Sequence, residues 1–135
     1  MSLEKFVEAQ DDVYDDVRSE LVSGEKRSHW MWFIFPQIAG LGHSGMARRY
    51  AIASLEQAQA YLAHPILGTR LRECVAILNT VEGRTINQIM GYPDDLKLRS
   101  CLTLFSKATG DNRIFLEALD KFYSGEMDPE TLRRL

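Results

Sequence analysis

A chain of 135 residues with net charge −3, 45% apolar and 26% charged residues has the composition of a globular protein able to bury a hydrophobic core. That balance excludes a disordered chain. With no Lys/Arg block longer than two residues, it also excludes the basic stripe of a dedicated nucleic-acid binder.

Leu3, Phe6 and Val7 open a first short helical turn with Ser2 as its cap. Val13, Tyr14, Val17 and Leu21 then recur at helical spacing, and Gly24 is the stop. Asp11, Asp12, Asp15, Asp16 and Glu20 are read as the opposite, solvated face, since consecutive acids do not aim at one metal. The next run, Ser28 to Ser44, is the most unusual of the chain. It holds both tryptophans, two of the three histidines and two of the six phenylalanines. Ser28 can cap a helix through Phe35, which Pro36 ends, and Gly40, Gly42 and Gly45 make the following loop. No βαβ pattern surrounds these glycines, so they are not a dinucleotide fingerprint.

Helical spacing resumes at Met46, Ala47, Tyr50 and Ala51. Ser54 with Gln57 matches a capping box ahead of Leu55, Ala58 and Leu62. His64-Pro65 breaks that helix, with Pro65 suited to the first position of the next, which Leu67, Leu71, Cys74, Val75 and Leu78 mark. Thr85 with Gln88 is a second capping box, for a short helix over 86–90 that Gly91 stops. Tyr92-Pro93-Asp94-Asp95 opens a helix with Leu98, Cys101, Leu102, Leu104 and Phe105 on its core face. Phe115, Leu119, Phe122 and Tyr123 line another, ended by Gly125, and Asp128-Pro129-Glu130 starts the last. No period-two alternation or hairpin signal appears. The prediction is all-α: a compact single domain over 1–135, a bundle of about seven or eight short-to-medium helices with no significant sheet. Cys74 and Cys101 lie in apolar helical contexts and read as buried thiols.

Two groups of residues can carry chemistry. In the first, His29 and Trp32 share a helix face, while Trp30 and Trp32 project roughly 200° apart. Such spacing sends one tryptophan into the core and the other to a cavity, where an indole face stacks on a ring or holds a cation. Gln37 follows Pro36 in a rigid turn, and the Gly42–Ser44 stretch offers free amides. In the second, Asp94, Asp95, Lys97, Arg99, Ser100 and Thr103 open the long helix. Asp95 and Arg99 have ion-pair spacing, and Lys97, Ser100 and Thr103 form a polar line along an apolar helix. A core histidine, core tryptophans and a capping role for the acids are the competing structural explanation. HExxH, GxSxG, Walker, EF-hand and zinc spacings are missing, so no cofactor or metal is called for.

The motif Ser28-His29-Trp30-Met31-Trp32-Phe33-Ile34-Phe35-Pro36-Gln37 with Gly40-Leu41-Gly42-His43-Ser44 resembles the signature of the family called "domain of unknown function 1810". Tyr50-Ala51-Ile52, His64-Pro65-Ile66-Leu67-Gly68 and Thr103-Leu104-Phe105 extend the resemblance over nearly the whole chain. It implies a bacterial, mainly α-helical single domain and supplies no mechanism. Some members carry a calpastatin label. Calpain inhibitors of that type are repetitive and disordered, and this chain is neither.

The expected function is binding of a small, anionic or nucleotide-like molecule beside His29–Ser44. Ligand contacts are assigned to Trp30, Trp32, Gln37, Gly42, Ser44, Ser100 and Thr103. A catalytic version would use His29 or Asp95 as acid–base and Lys97 to stabilise charge. The alternative is a non-catalytic interaction or homo-oligomerising module that uses the aromatic stretch. Without a signal region or a membrane-spanning run, a cytoplasmic protein is expected, monomeric or weakly self-associating, with no nucleic acid or membrane partner.

Overall fold

Apolar residues at helical spacing fold the chain into ten helices among the residues described, 2–135 of a computed structural model. These are α1 (Glu4–Asp11), α2 (Tyr14–Ser23), α3 (Met31–Ile34), α4 (Gly45–Arg49), α5 (Leu55–Ala63), α6 (Leu67–Thr80), α7 (Ile86–Met90), α8 (Asp94–Ala108), α9 (Arg113–Tyr123) and α10 (Pro129–Arg133). The count exceeds seven or eight because several are single turns. The all-α prediction holds: apart from one isolated bridge between Ile38 and Ile52, no strand pairing occurs among the described residues.

Helix α8 is the central element. Leu98, Cys101, Leu102, Leu104 and Phe105 are fully buried, and so are the polar positions Ser100, Thr103 and Ser106 between them. A helix apolar or satisfied on most sides belongs in the middle of a bundle. Around it pack α5, α7, α9 and α10, and α6 closes the far side against α5, α9 and α2. Buried Gln10 pins α1 to the rest. Its Nε2 donates to the Phe33 carbonyl at 2.7 Å and to the Tyr61 hydroxyl at 3.1 Å, and its Oε1 accepts from Arg70 at 3.3 Å. Burial pushes the Cys74 thiol up to about 12 and the Cys101 thiol well above its ordinary value, so both stay protonated in the core.

Four local expectations are corrected. The helix predicted from Ser28 to Phe35 is one turn, Met31–Ile34. Ser28 caps nothing there, because its hydroxyl and amide both go to Glu20, at 2.6 and 3.0 Å. Glu20 is not on the solvated face; it is 7% exposed and also accepts from the Arg27 amide at 2.6 Å and the Trp30 indole N–H at 3.1 Å. Pro65 does not begin α6, which starts at Leu67. The His64 ring does the capping instead, its Nδ1 accepting from the Ile66 and Leu67 amides at 3.1 and 3.3 Å. Finally, Arg99 pairs with Asp128 at 3.7 Å rather than with Asp95.

Asp128 anchors the last helix. Its carboxylate accepts from the Ser100 hydroxyl at 3.0 Å, the Thr131 amide at 3.1 Å and the Thr131 hydroxyl at 2.6 Å, while its amide donates to Thr103 Oγ1 at 2.9 Å. Burial raises its carboxyl, but these bonds and Arg99 outweigh that and hold it below the ordinary value. Asp128→Ala will therefore cost about 1–2 kcal/mol. Amide hydrogen exchange will show it as faster exchange confined to residues 129–134; unchanged protection there would contradict the anchoring role.

Candidate functional site

Three pieces of chain build a cleft. The single turn α3 and the residue after it present Met31, Trp32 and Phe35. Next, the chain runs beside residues 51–53. The Ala39 amide donates to the Ile52 carbonyl and the Ile52 amide to the Gln37 carbonyl, each at 2.8 Å. This bridge clamps both ends of the intervening segment, so Gly40, Gly42 and α4 arch over a hollow. From the opposite side α8 sends in Lys97.

The arch depends on close packing. Gly40 has φ +98°, and a Cβ there would lie 2.5 Å from Arg134 Nη1, so the guanidinium following α10 lies directly on the bare Cα. Ser44 caps α4, its hydroxyl accepting from the Ala47 amide at 3.1 Å. Tyr50 fixes the base of the arch between Phe6 and Phe33, with ring centroids 5.5 and 5.4 Å apart.

The hollow encloses about 140 Å³. Its walls are mostly apolar, but Gln37, Arg48, Lys97 and Trp32 also face it, and among the described residues no carboxylate does. Arg48 is exposed and, among the described residues, makes no ion pair and no side-chain hydrogen bond, and neither the Gln37 carboxamide nor the Trp32 indole N–H has a partner there. Lys97 is only loosely held. Its ammonium lies 3.9 Å from Asp94 and 5.9 Å from the Trp32 ring centroid. Asp94 is already engaged by Lys26 at 3.0 Å. Positive and donor groups thus converge on a concave, mostly apolar space that no carboxylate lines among the described residues.

A second, more open lobe of about 390 Å³ shares Met31, Trp32 and Lys97 with the first. Its other walls include Lys26, His29, Met90, Tyr92, Pro93 and Asp94.

The model of a protein family described as "Protein of unknown function (DUF1810)" matches residues 1–135. The chain belongs to that family. It is also similar to a solved structure, the crystal structure of the conserved hypothetical protein Rv1873 from Mycobacterium tuberculosis. That chain is 54% identical, with 98% of this chain and 95% of that one covered, and superposes with a TM-score of 0.98. The comparison with curated proteins found no match.

Of the residues singled out in this DUF1810 chain, the structure brings Trp32, Gln37, Gly42 and Lys97 together on the hollow. His29 is exposed on the open lobe. The remaining candidates lie elsewhere. Trp30 is 1% exposed, its ring packed against Phe35 and its N–H spent on Glu20. Ser44 stands on the outer surface as a cap. Ser100 and Thr103 bond Asp128, so the polar line along α8 is a seat for α10 rather than a wall of the cleft. Asp95 lines neither lobe. Its carboxylate accepts from Asn87 at 3.2 Å and its carbonyl from the Tyr123 hydroxyl. Of the aromatic stretch, Trp30, Phe33 and Phe35 are buried, and Trp32 faces the cleft.

Arg48 and Tyr50 were missed as wall residues. Tyr50 carried no signal beyond its apolar spacing. For Arg48 one existed: no acidic residue stands within four positions on either side, so its charge could not be satisfied along its own helix.

Proposed function

We propose that this protein binds a small anionic molecule in the enclosed hollow, with Arg48 and Lys97 on its charge and Gln37 and the Trp32 indole N–H on its remaining oxygens. The supporting observation is that four donor groups face one apolar cavity that no carboxylate lines among the described residues, three of them without a partner there and the fourth, Lys97, only 3.9 Å from an Asp94 already held by Lys26. In such a site a guanidinium grips an oxyanion in bidentate fashion, and the surrounding apolar wall weakens competition from water. Binding is better supported than acid–base catalysis through His29 or Asp95. One of these side chains sits on the open lobe and the other lies outside the cleft, bonded to Asn87.

Thermal unfolding in a panel of phosphate, sulfate and short carboxylates tests the reading. An anion present at 100 times its Kd stabilises the native state by about 2.7 kcal/mol. For a chain of this size the Tm will then rise by roughly 10 °C. The double variant Arg48→Ala/Lys97→Ala will lose that rise while keeping the unliganded Tm within a few degrees, because Arg48 has no partner among the described residues and Lys97 only a long, partly exposed ion pair with Asp94. A rise that persists in the double variant would place the anion elsewhere.

A further inference from the structure

The two lobes differ in chemistry, and their junction is one indole. Trp32 and Lys97 wall both. The enclosed lobe offers unpaired donors. By contrast, the open lobe offers flat and polarisable surfaces: His29, Tyr92, Met31 and Met90, with Pro93 beside them. Tyr92 is 78% exposed, and among the described residues neither its ring nor that of His29 is held by a hydrogen bond or a ring contact. An aromatic side chain so fully in water, next to a second half-buried one, is a platform on which a planar ring can stack. Of the cations on that side, Lys26 is already neutralised, whereas Arg27 is exposed and its guanidinium reaches only the Ser23 hydroxyl, at 3.5 Å. Lys26 sits 3.0 Å from Asp94 and donates to the Ser28 carbonyl at 2.6 Å. The open lobe thus differs from the enclosed one in its flat surfaces and in carrying a carboxylate, Asp94, which disfavours a phosphate there, whereas no carboxylate lines the enclosed lobe among the described residues.

Resting on the anion-binding reading, we propose that the ligand is a nucleoside monophosphate. Its phosphate enters the enclosed lobe against Arg48, Lys97 and Gln37, and its base lies in the open lobe against Trp32, His29 and Tyr92. Lys97, 5.9 Å from the Trp32 ring centroid, stands where a phosphate and a stacked ring of one molecule meet. Asp94 and the Ser28 carbonyl, on the same side, supply acceptors for an exocyclic amine.

Isothermal titration of the full chain with the four common ribonucleoside monophosphates, the matching nucleosides, ribose 5-phosphate and inorganic phosphate tests this. At least one monophosphate will bind tenfold or more tightly than both its nucleoside and ribose 5-phosphate. The double variant His29→Ala/Tyr92→Ala, which alters two exposed side chains, will reduce that monophosphate to the affinity of ribose 5-phosphate and leave inorganic phosphate unchanged. If ribose 5-phosphate binds as tightly as every monophosphate, or the double variant changes nothing, the base site is overturned while the anion site stands. If neither inorganic phosphate nor any monophosphate binds, both are overturned.

Discussion

Gly68→Ala will destabilise the fold by about 3 kcal/mol or more, the upper end of what an added methyl in a packed interior costs. A Cβ at Gly68 would lie 2.0 Å from the Leu62 carbonyl oxygen, 2.8 Å from its carbonyl carbon and 3.2 Å from its Cα. All three are backbone atoms, so no side chain can turn aside to make room. The corner cannot slide either. The Gly68 amide donates to the His64 carbonyl at 3.0 Å, the His64 ring holds the amides just before it, and Leu67 and Leu71 are packed in the core. Separating α5 from α6 would also loosen α8, against which α5 packs. Equilibrium urea unfolding will show a lower midpoint with an unchanged slope. Gly45→Ala, where the added carbon meets nothing within 4 Å, will change stability little. A loss under about 1 kcal/mol at Gly68 would show that the corner relaxes, contrary to the packing described.

Glu20→Ala will cost about 3 kcal/mol, because it strands several donors at once. The buried Trp30 N–H, the Arg27 and Ser28 amides and the Ser28 hydroxyl all converge on this carboxylate. Together with the Lys26–Asp94 pair they hold the segment that leads into α3, so the loss spreads to the wall carrying Trp32. Glu20→Gln keeps the shape and one acceptor and will cost less than half as much. The pH dependence follows from the same contacts. Burial pushes the Glu20 carboxyl up, but its four hydrogen bonds outweigh that and hold it below the ordinary value of 4.5. A depressed folded-state pKa contributes stability that is complete above about pH 4.5 and disappears as pH falls through the folded value. The stability gap between wild type and Glu20→Gln will therefore narrow on acidification below that point. A gap independent of pH would mean the carboxylate charge is not what the donors hold.

Elements whose signals lie within a few residues could be read from the sequence. The Thr85/Gln88 capping box forms in full, with helix Ile86–Met90 and Gly91 after it. Asp128-Pro129 starts α10, and Gly24 adopts the left-handed conformation that ends α2. At Ser54 the box is altered: the hydroxyl accepts from the Gln57 amide, but Gln57 Oε1 reaches one residue further back, to the Ala53 amide at 2.6 Å. What failed depended on partners far along the chain. Ser28 looks like a cap until Glu20 competes for it. Glu20 stands three residues after Val17, on the apolar face by spacing, and its charge alone suggested the outside. Ser100 and Thr103 were correctly seen as polar sites on an apolar helix, but their partner is Asp128, 28 and 25 residues away. At the cleft, Trp32, Gln37, Gly42 and Lys97 were foreseen as a group, whereas the clamp between Ile38 and Ile52 that makes a hollow of them left no pattern to read.

The two tryptophans allow the central claim to be tested at the site itself. Trp30 is sealed in the core with its N–H on Glu20, while Trp32 faces the cleft with its N–H free. In a nitrogen–proton correlation spectrum the chain gives two indole signals, assigned with Trp32→Phe. Titration with inorganic phosphate, and separately with adenosine monophosphate, will shift the Trp32 signal in a saturable way, leave Trp30 in place, and lose the response in Arg48→Ala/Lys97→Ala. A Trp32 signal unmoved by any anion that binds the protein, or one that moves equally in the double variant, would contradict an anion site in this cleft.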